Sequence, residues 1–350
     1  MKKRVRKIGI VGGNLTSALL CIEARKREIE VVLLDKDLNT LASPYANGHI
    51  VAEINSVNIN RLALRTDTII ITTPVIWQLA DEINTGIEIY PSQETIKFIS
   101  NRIEQVKLAN ELNIPTPAHF YGDNLEEIEF TIQQMELPFK YHQLCKGRYE
   151  SCTVQYPADE IEFDNMLDGD SSEYLLEDVK QYKQLFTVSA IKNPQGKIVI
   201  YPISEEGDIV HSMESFISTP ANTTKVNQKK IIGYVKKILK ATNAVGLYSF
   251  KFGLTEDKKL EWLYFTPGVN VGDVHTNHYM EMSVYEQFLN MIEGINIIDV
   301  DLLCPNRVHI AQEGDDTSHF QLPYHLYKMD RHNAATIHLY VLPEKPTDTN

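Results

Sequence analysis

The stretch SFKFGLTEDKKLEWLYF, residues 249–265, contains two apolar, aromatic-rich runs on either side of a charged centre. The runs cover residues 249–254 and 260–265, and the charged residues between them are few enough to form a turn. Two strand-forming runs around a short polar segment are typical of a β-hairpin. The sequence therefore predicts two antiparallel strands, with Lys251 on the first and Tyr264 on the second.

Helical and strand patterns continue on both sides of this hairpin. The segments NQKKIIGYVKKILKATNA (227–244) and MSVYEQFLNMIEG (282–294) predict helices before and after it. The segment LFTVSAIKNPQGKIVIYPIS (185–204) predicts a second hairpin, with NPQG at its turn. Further upstream, SQETIKFISNRIEQVKLANELNIPTP (92–117) predicts one long amphipathic helix that Ser92 caps and NIPTP ends.

The first ninety residues alternate between short apolar runs and helix-length segments. The runs KIGIVGG, IEVVLLDKD, DTIIITTP and IEIYPS predict four strands of a parallel sheet with crossover helices. Ligands of such sheets bind at the carboxyl ends of the strands, where Gly12, Gly13 and Asp35 lie. The two glycines fit a ligand-binding turn and equally fit a tight strand-to-helix turn, because the third glycine of a dinucleotide fingerprint is missing.

Composition excludes several classes of protein. The 350 residues carry a formal net charge of -13. This charge argues against a nucleic-acid partner, because a protein that binds nucleic acid needs a basic face. No run approaches the roughly 18 apolar residues of a membrane span. The four cysteines have no paired spacing and read as reduced thiols. We therefore expect a cytoplasmic protein with neither a nucleic-acid nor a membrane partner.

Histidines are concentrated late in the chain. His275 and His278 would lie one helical turn apart if a helix begins there, which suits a transition metal. No carboxylate or cysteine accompanies them at a motif spacing, so substrate-pocket or surface histidines are the competing interpretation.

The order of these segments resembles the ATP-grasp ligases, and within them the 5-(carboxyamino)imidazole ribonucleotide synthases of purine biosynthesis. The segments that carry the resemblance are IGIVGG with VVLLDKD, YPSQET, ELNIPTP, GLYSFKFGLTEDKKL, FTPGVN and VYEQFLNMIEG. The resemblance implies an α/β chain, α+β in the grasp region, with three domains: a parallel-sheet domain over 1–93, an ATP-grasp domain over 94–298 and a small β-rich domain over 299–350. It also implies ATP as cofactor, a nucleotide or ribonucleotide ligand and a homodimer.

The metal site of that family is where this sequence departs from it. The family holds Mg²⁺ or Mn²⁺ with two carboxylates, one on each strand of the hairpin quoted first. Those positions fall on Lys251 and Tyr264, and a lysine cannot ligate a hard divalent cation. No catalytic residue is therefore assigned and no metal is expected, unless Glu261 or Asp273 rebuilds the site.

Other family positions are kept in part. For the nucleotide, the resemblance implies Glu177 and Asp178 at the hinge and Lys146, Gly147 and Tyr149 in the reduced glycine loop. For the substrate, it implies the positions Gly12, Gly13, Asp35, His275, Arg331 and His338.

Three functional hypotheses follow. The first, favoured by the combined loss of carboxylates and loop glycines, is a catalytically impaired or inactive descendant that keeps the fold as a binding or regulatory module. The second is an active ATP-dependent carboxylate–amine ligase with a rebuilt metal site. The third, a nicotinamide-dependent enzyme that uses Gly12, Gly13 and Asp35, leaves the downstream segment order unexplained.

Overall fold

The described part of the chain forms three β-sheets with helices packed between and around them. The computed structural model describes residues 5–73, 77–145, 148–155, 171–208, 215–312, 324–331 and 334–343. Among the helices of this described part, none is long and apolar enough to cross a membrane.

The first sheet is parallel throughout and has the spatial order β3-β2-β1-β4-β5. Its elements are β1 (Lys7–Val11), α1 (Leu15–Lys26), β2 (Glu30–Asp35), β3 (Gly48–Val51), α2 (Ser56–Ala63), β4 (Thr68–Ile71), α3 (Trp77–Glu82) and β5 (Glu88–Tyr90). All four predicted strands are present, and the parallel sheet is confirmed. Strand β3 was not predicted, because this short edge strand is only half-buried and lacks a continuous apolar run.

The predicted long helix is instead two helices, α4 (Gln93–Ser100) and α5 (Arg102–Glu111). Ser92 caps α4 as predicted, since its side chain accepts a hydrogen bond from the backbone N–H of Thr95. The single-helix prediction was wrong at Asn101, which has an extended backbone (φ −119°, ψ 103°) and caps the second helix with its own side chain. Asparagine competes with helical hydrogen bonds in this way, so it favours a cap over a helix interior.

A small antiparallel sheet of order β6-β9-β7-β8 follows. Its elements are β6 (His119–Gly122), α6 (Leu125–Ile132), β7 (Phe139–Cys145), β8 (Arg148–Val154) and β9 (Ser171–Asp178). One face packs on α6 through Ile128 and Phe139, and Leu175 packs against α5 through Ile103 and Val106.

The largest sheet has nine strands in the order β15-β14-β10-β12-β13-β16-β18-β17, with β11 paired to β10. Its elements are β10 (Gln184–Lys192), β11 (Ile198–Ile200), β12 (Ser204–Asp208), β13 (Ser215–Thr219), α7 (Lys225–Ala241), β14 (Gly246–Leu254), β15 (Leu260–Pro267), a 3₁₀ helix (Val271–His275), α8 (Thr276–Tyr279), α9 (Val284–Glu293), β16 (Asn306–Gln312), β17 (His325–Arg331) and β18 (Ala334–Pro343).

The nine-stranded sheet has an apolar and a polar face at its β14 end. Phe250 and Phe252 point to the apolar face and pack with Ile231 and Val235 of α7. Residues one position along β14, such as Lys251, point to the opposite face because strand side chains alternate. Both predicted hairpins are confirmed by their antiparallel pairing. The last three strands continue this same sheet through the pairing of β13 with β16, and the division into three domains stays a prediction.

Candidate functional site

A cleft separates the small sheet from the β15 edge of the nine-stranded sheet. It encloses a cavity of about 310 Å³. The polar side chains of its lining include Arg102, His142, Tyr149, Glu177, Asp178 and Tyr264. The cleft therefore brings together three of the predicted nucleotide residues and one of the two positions predicted to have lost a metal ligand.

Glu177, at the end of β9, is bound on both carboxylate oxygens by Arg102. The Arg102 Nε atom lies 3.1 Å from Oε1 and 3.0 Å from Oε2, and Nη2 lies 2.7 Å from Oε1. Both side chains are buried. Burial pushes the pKa of Glu177 upward, but the adjacent Arg102 guanidinium and the His142 imidazole together outweigh it and hold the pKa down at about 2. The Glu177 carboxylate is thus ionised, and inside the cleft it is already paired with the Arg102 guanidinium.

Two further side chains of the small sheet, His142 and Tyr149, continue the chain of polar contacts that begins at Glu177. His142 Nε2 lies 3.2 Å from Glu177 Oε2, and His142 Nδ1 lies 2.7 Å from the Tyr149 hydroxyl. Burial lowers the pKa of His142 despite the neighbouring carboxylate, and burial raises the pKa of Tyr149. Both are therefore neutral hydrogen-bonding groups near neutral pH.

Lys251 and Tyr264 lie directly opposite each other on β14 and β15. The Lys251 ammonium forms an ion pair with Glu206 of β12, and both side chains are largely buried. Burial and the nearby Glu206 raise the pKa of Tyr264, so its phenol is neutral. The amide Nδ2 of Asn270 lies 3.5 Å from the other oxygen of Glu206. We call these four residues the floor cluster.

The floor cluster does not fit a divalent cation of the Mg²⁺ type. Such a cation takes carboxylate, carbonyl and water oxygens, whereas the floor cluster offers one carboxylate already paired with an ammonium. Within the residues that the structure describes, no group of three or more His, Cys, Asp or Glu side chains is arranged to hold a metal.

Neither carboxylate that could rebuild the site is oriented toward it. Glu261 is fully buried and accepts hydrogen bonds from Lys180 Nζ at 2.9 Å and Tyr182 Oη at 3.0 Å. Asp273 closes a capping box at the 3₁₀ helix, where it accepts from the backbone N–H of Asn270 at 2.8 Å and from Ser189 Oγ at 2.7 Å.

The predicted ligand-binding turn after β1 makes contacts with the end of β2 and with the loop that follows β2. The backbone N–H of Gly13 donates to Asp35 Oδ2 at 2.7 Å, and Gly12 has a positive φ of 96°. A Cβ atom on Gly13 would lie 2.4 Å from Thr40, so the glycine is required by close packing. These contacts account for Gly12, Gly13 and Asp35 by tight-turn geometry, and a substrate role for them stays a prediction.

The predicted histidine positions are scattered. His275 is buried within the 3₁₀ helix, and burial lowers its pKa to about 3. His278 stacks on His325 with ring centroids 3.5 Å apart, and the nearby His278 adds to the lowering of the His275 pKa. His338 lies on β18 opposite Lys328. The lining of the cleft cavity includes none of His275, His278 and His338.

Three further predicted site residues lie partly or wholly outside the described part of the structure. Lys146 and Gly147 lie outside the described residues, and of Arg331 only the backbone position at the end of β17 is described. Among the polar residues that line the cleft, Arg102 and His142 were not predicted. The alternation of polar residues in KYHQ, which places Lys140 and His142 on one face of β7, was the available signal for the second.

The chain matches known proteins along most of its length. Residues 107–264 match the model of the ATP-grasp domain. The chain is 23% identical over 348 residues to the chloroplastic phosphoribosylaminoimidazole carboxylase of Vigna aconitifolia, covering 96% of this chain and 61% of that relative's length. It is 23% identical to the formate-dependent phosphoribosylglycinamide formyltransferase of Prochlorococcus marinus, covering 89% of this chain and 83% of the relative.

Solved structures show the same arrangement of elements. The N5-carboxyaminoimidazole synthetase of Staphylococcus aureus complexed with ADP superposes with a TM-score of 0.80 at 16% identity, over 97% of this chain and 93% of that one. The Aspergillus clavatus synthase in complex with ADP and 5-aminoimidazole ribonucleotide gives 0.77 at 19% identity, over 97% and 94%.

The match over residues 107–264 identifies an ATP-grasp domain in this chain. The chain has the fold of the N5-carboxyaminoimidazole ribonucleotide synthetases and resembles the purine-biosynthesis ligases.

Proposed function

We propose that this protein is a nucleotide-binding module that has lost the metal-dependent ligase chemistry of its relatives. The observation that carries the proposal is the floor cluster, in which an ammonium and a phenol stand opposite each other where the resemblance places two metal carboxylates. Metal ions neutralise the charge that develops in phosphoryl transfer, so their loss removes a large share of transition-state stabilisation.

Retention of ligand binding is supported by the cleft itself. Its cavity remains open and is lined by Tyr149 and Asp178, which the resemblance assigns to the nucleotide, while the third such residue, Glu177, is held by Arg102. Relatives with the same fold are complexed with ADP, which supports an adenine nucleotide as the first ligand to test.

The decisive measurement is ADP release from ATP by purified protein. The assay contains Mg²⁺ or Mn²⁺, bicarbonate and aminoimidazole ribonucleotide, with an authentic synthase as the positive control. We expect no release above the background without protein, while thermal denaturation shows a folded protein whose melting temperature rises with nucleotide, because a ligand that binds only the native state stabilises it.

Turnover that depends on aminoimidazole ribonucleotide would contradict the proposal and establish the alternative, an active ligase with a rebuilt metal site. Absence of any nucleotide effect on melting would contradict the binding part of the proposal. From the resemblance alone we also propose a cytoplasmic homodimer, and light scattering coupled to size-exclusion chromatography tests its mass.

A further inference from the structure

The floor cluster changes the charge that a bound polyphosphate would meet. Two carboxylates at the opposed positions of β14 and β15 would repel phosphate oxygens unless a cation bridged them. In this chain the opposed positions carry Lys251 and Tyr264, and both present hydrogen-bond donors to the polar face of the sheet. Phosphate oxygens are acceptors, so these two residues can contact them with no metal between.

The Lys251 ammonium keeps the capacity for a second partner. An ammonium group has three N–H donors, and the ion pair with Glu206 uses one of them. Glu206 is in turn within reach of Asn270 Nδ2 at 3.5 Å, so its charge has a partner besides Lys251. Glu206 therefore positions the ammonium and also competes with any incoming anion for it.

The cleft connects the predicted nucleotide residues to the floor cluster. Asp178 at the hinge end and Tyr264 at the sheet end line the same cavity. Lys251 is the cross-strand neighbour of Tyr264, so the two side chains point to the same face of the sheet. A ligand that extends from Asp178 to Tyr264 therefore has its far end next to Lys251.

We propose that the cleft binds its nucleotide as the metal-free polyphosphate anion, with the Lys251 ammonium in the place where the relatives' carboxylates would hold a divalent cation. This inference rests on the proposed nucleotide-binding function. The one carboxylate of the floor cluster, Glu206, is already paired with Lys251, and Mg²⁺ in solution neutralises part of the phosphate charge that Lys251 attracts. Mg²⁺ is thus a competitor of binding in this protein.

Titration calorimetry with ADP as the probe tests the inference on the intact, unmodified chain. ADP is titrated once in excess EDTA and once in saturating Mg²⁺, at matched ionic strength because charge interactions depend on salt. We expect ADP to bind more tightly in EDTA. Tighter binding with Mg²⁺ would overturn the inference and leave the nucleotide site standing, whereas no binding in either buffer would overturn the proposed function itself.

Three single variants give independent readouts in EDTA. Lys251→Met keeps the apolar stem and is expected to weaken ADP binding about tenfold, which corresponds to about 1.4 kcal/mol. Glu206→Gln removes the competing carboxylate and is expected to strengthen binding. The matched control, Lys236→Met, removes an exposed lysine of α7 and is expected to leave binding unchanged. An unchanged affinity in Lys251→Met, or a weaker one in Glu206→Gln, would overturn the inference.

A double variant that replaces both opposed donors of the floor cluster by carboxylates completes the test. The double variant Lys251→Glu and Tyr264→Glu restores two opposed carboxylates, and we expect its ADP binding to become stronger with Mg²⁺ than with EDTA. Thermal denaturation of each variant confirms that it is folded before its affinity is compared. A double variant that is folded and still binds ADP more tightly in EDTA would contradict the role assigned to these positions.

Discussion

Replacement of Arg102 by methionine is expected to lower the free energy of unfolding by about 3–5 kcal/mol, because it leaves the buried Glu177 carboxylate without its partner. The loss comes from desolvation, since a carboxylate that is removed from water needs a compensating charge or several hydrogen bonds. His142 Nε2, at 3.2 Å, is the remaining polar neighbour among the contacts described above.

The double variant Arg102→Met and Glu177→Leu is expected to recover most of that loss, because buried ion pairs are often no more stable than apolar residues of similar volume. Chemical denaturation of the single and double variants measures both effects. Lys183→Met is the matched control, since the Lys183–Glu256 pair is exposed and 3.9 Å apart, and its loss is expected to cost less than about 1 kcal/mol. A single variant as stable as the control would contradict the assigned role of Arg102.

The pH dependence separates this explanation from a simple packing defect. The pKa of Glu177 is lowered in the folded protein, so its contribution to stability is present above the ordinary glutamate pKa and is lost as the pH falls toward about 2. In Arg102→Met, burial raises the pKa of Glu177, and the contact with His142 opposes it without the help of the guanidinium. The variant is therefore expected to lose stability as the pH rises, which is the opposite slope.

Asp273→Asn is expected to stabilise the protein at neutral pH by up to about 3 kcal/mol, the equivalent of a pKa shift of about two units. Burial raises the pKa of Asp273 to about 6, against the effect of hydrogen bonds from Ser189 and Asn270. Both hydrogen bonds end on Asp273 Oδ2, so an asparagine whose side-chain oxygen takes that position accepts from the backbone N–H of Asn270 and from the Ser189 hydroxyl. The substitution thus removes the buried charge and keeps the capping box.

The sign of this effect follows from the raised pKa. The native state binds the Asp273 proton more tightly than the unfolded state, so this residue lowers the stability as the pH rises from about 4 to about 6. Urea denaturation of both proteins across this range is the measurement. We expect the difference in the free energy of unfolding to grow with pH and to level off above pH 6; a difference that does not change with pH would contradict the assignment.

Local pattern was sufficient for most of the fold. The hairpin of 249–265, the four apolar runs of the first sheet and the helices around 227–244 and 282–294 were all predictable, because period and turn chemistry are local properties. The break at Asn101 was not predicted, since the apolar spacing continues through it and only the extended backbone at that residue ends the first helix.

The candidate site was predictable only in part. Lys251 and Tyr264 were identified from the sequence, and the structure places them opposite each other. Their surroundings depend on residues far apart in the chain: Glu206 is 45 positions from Lys251, and Arg102 is 75 positions from Glu177. Such pairs leave no periodic signal in a single sequence.

The sequence by itself determined the class of fold and the presence of Lys251 and Tyr264 on the two strands of the hairpin, because residue identity and local spacing suffice for both. Only the tertiary structure decided that Glu177 is occupied by Arg102, that Lys251 is held by Glu206, and that Glu261 and Asp273 are engaged elsewhere. The physical reason is that the charge state and availability of a side chain are set by burial and by partners that only folding brings within a few ångströms.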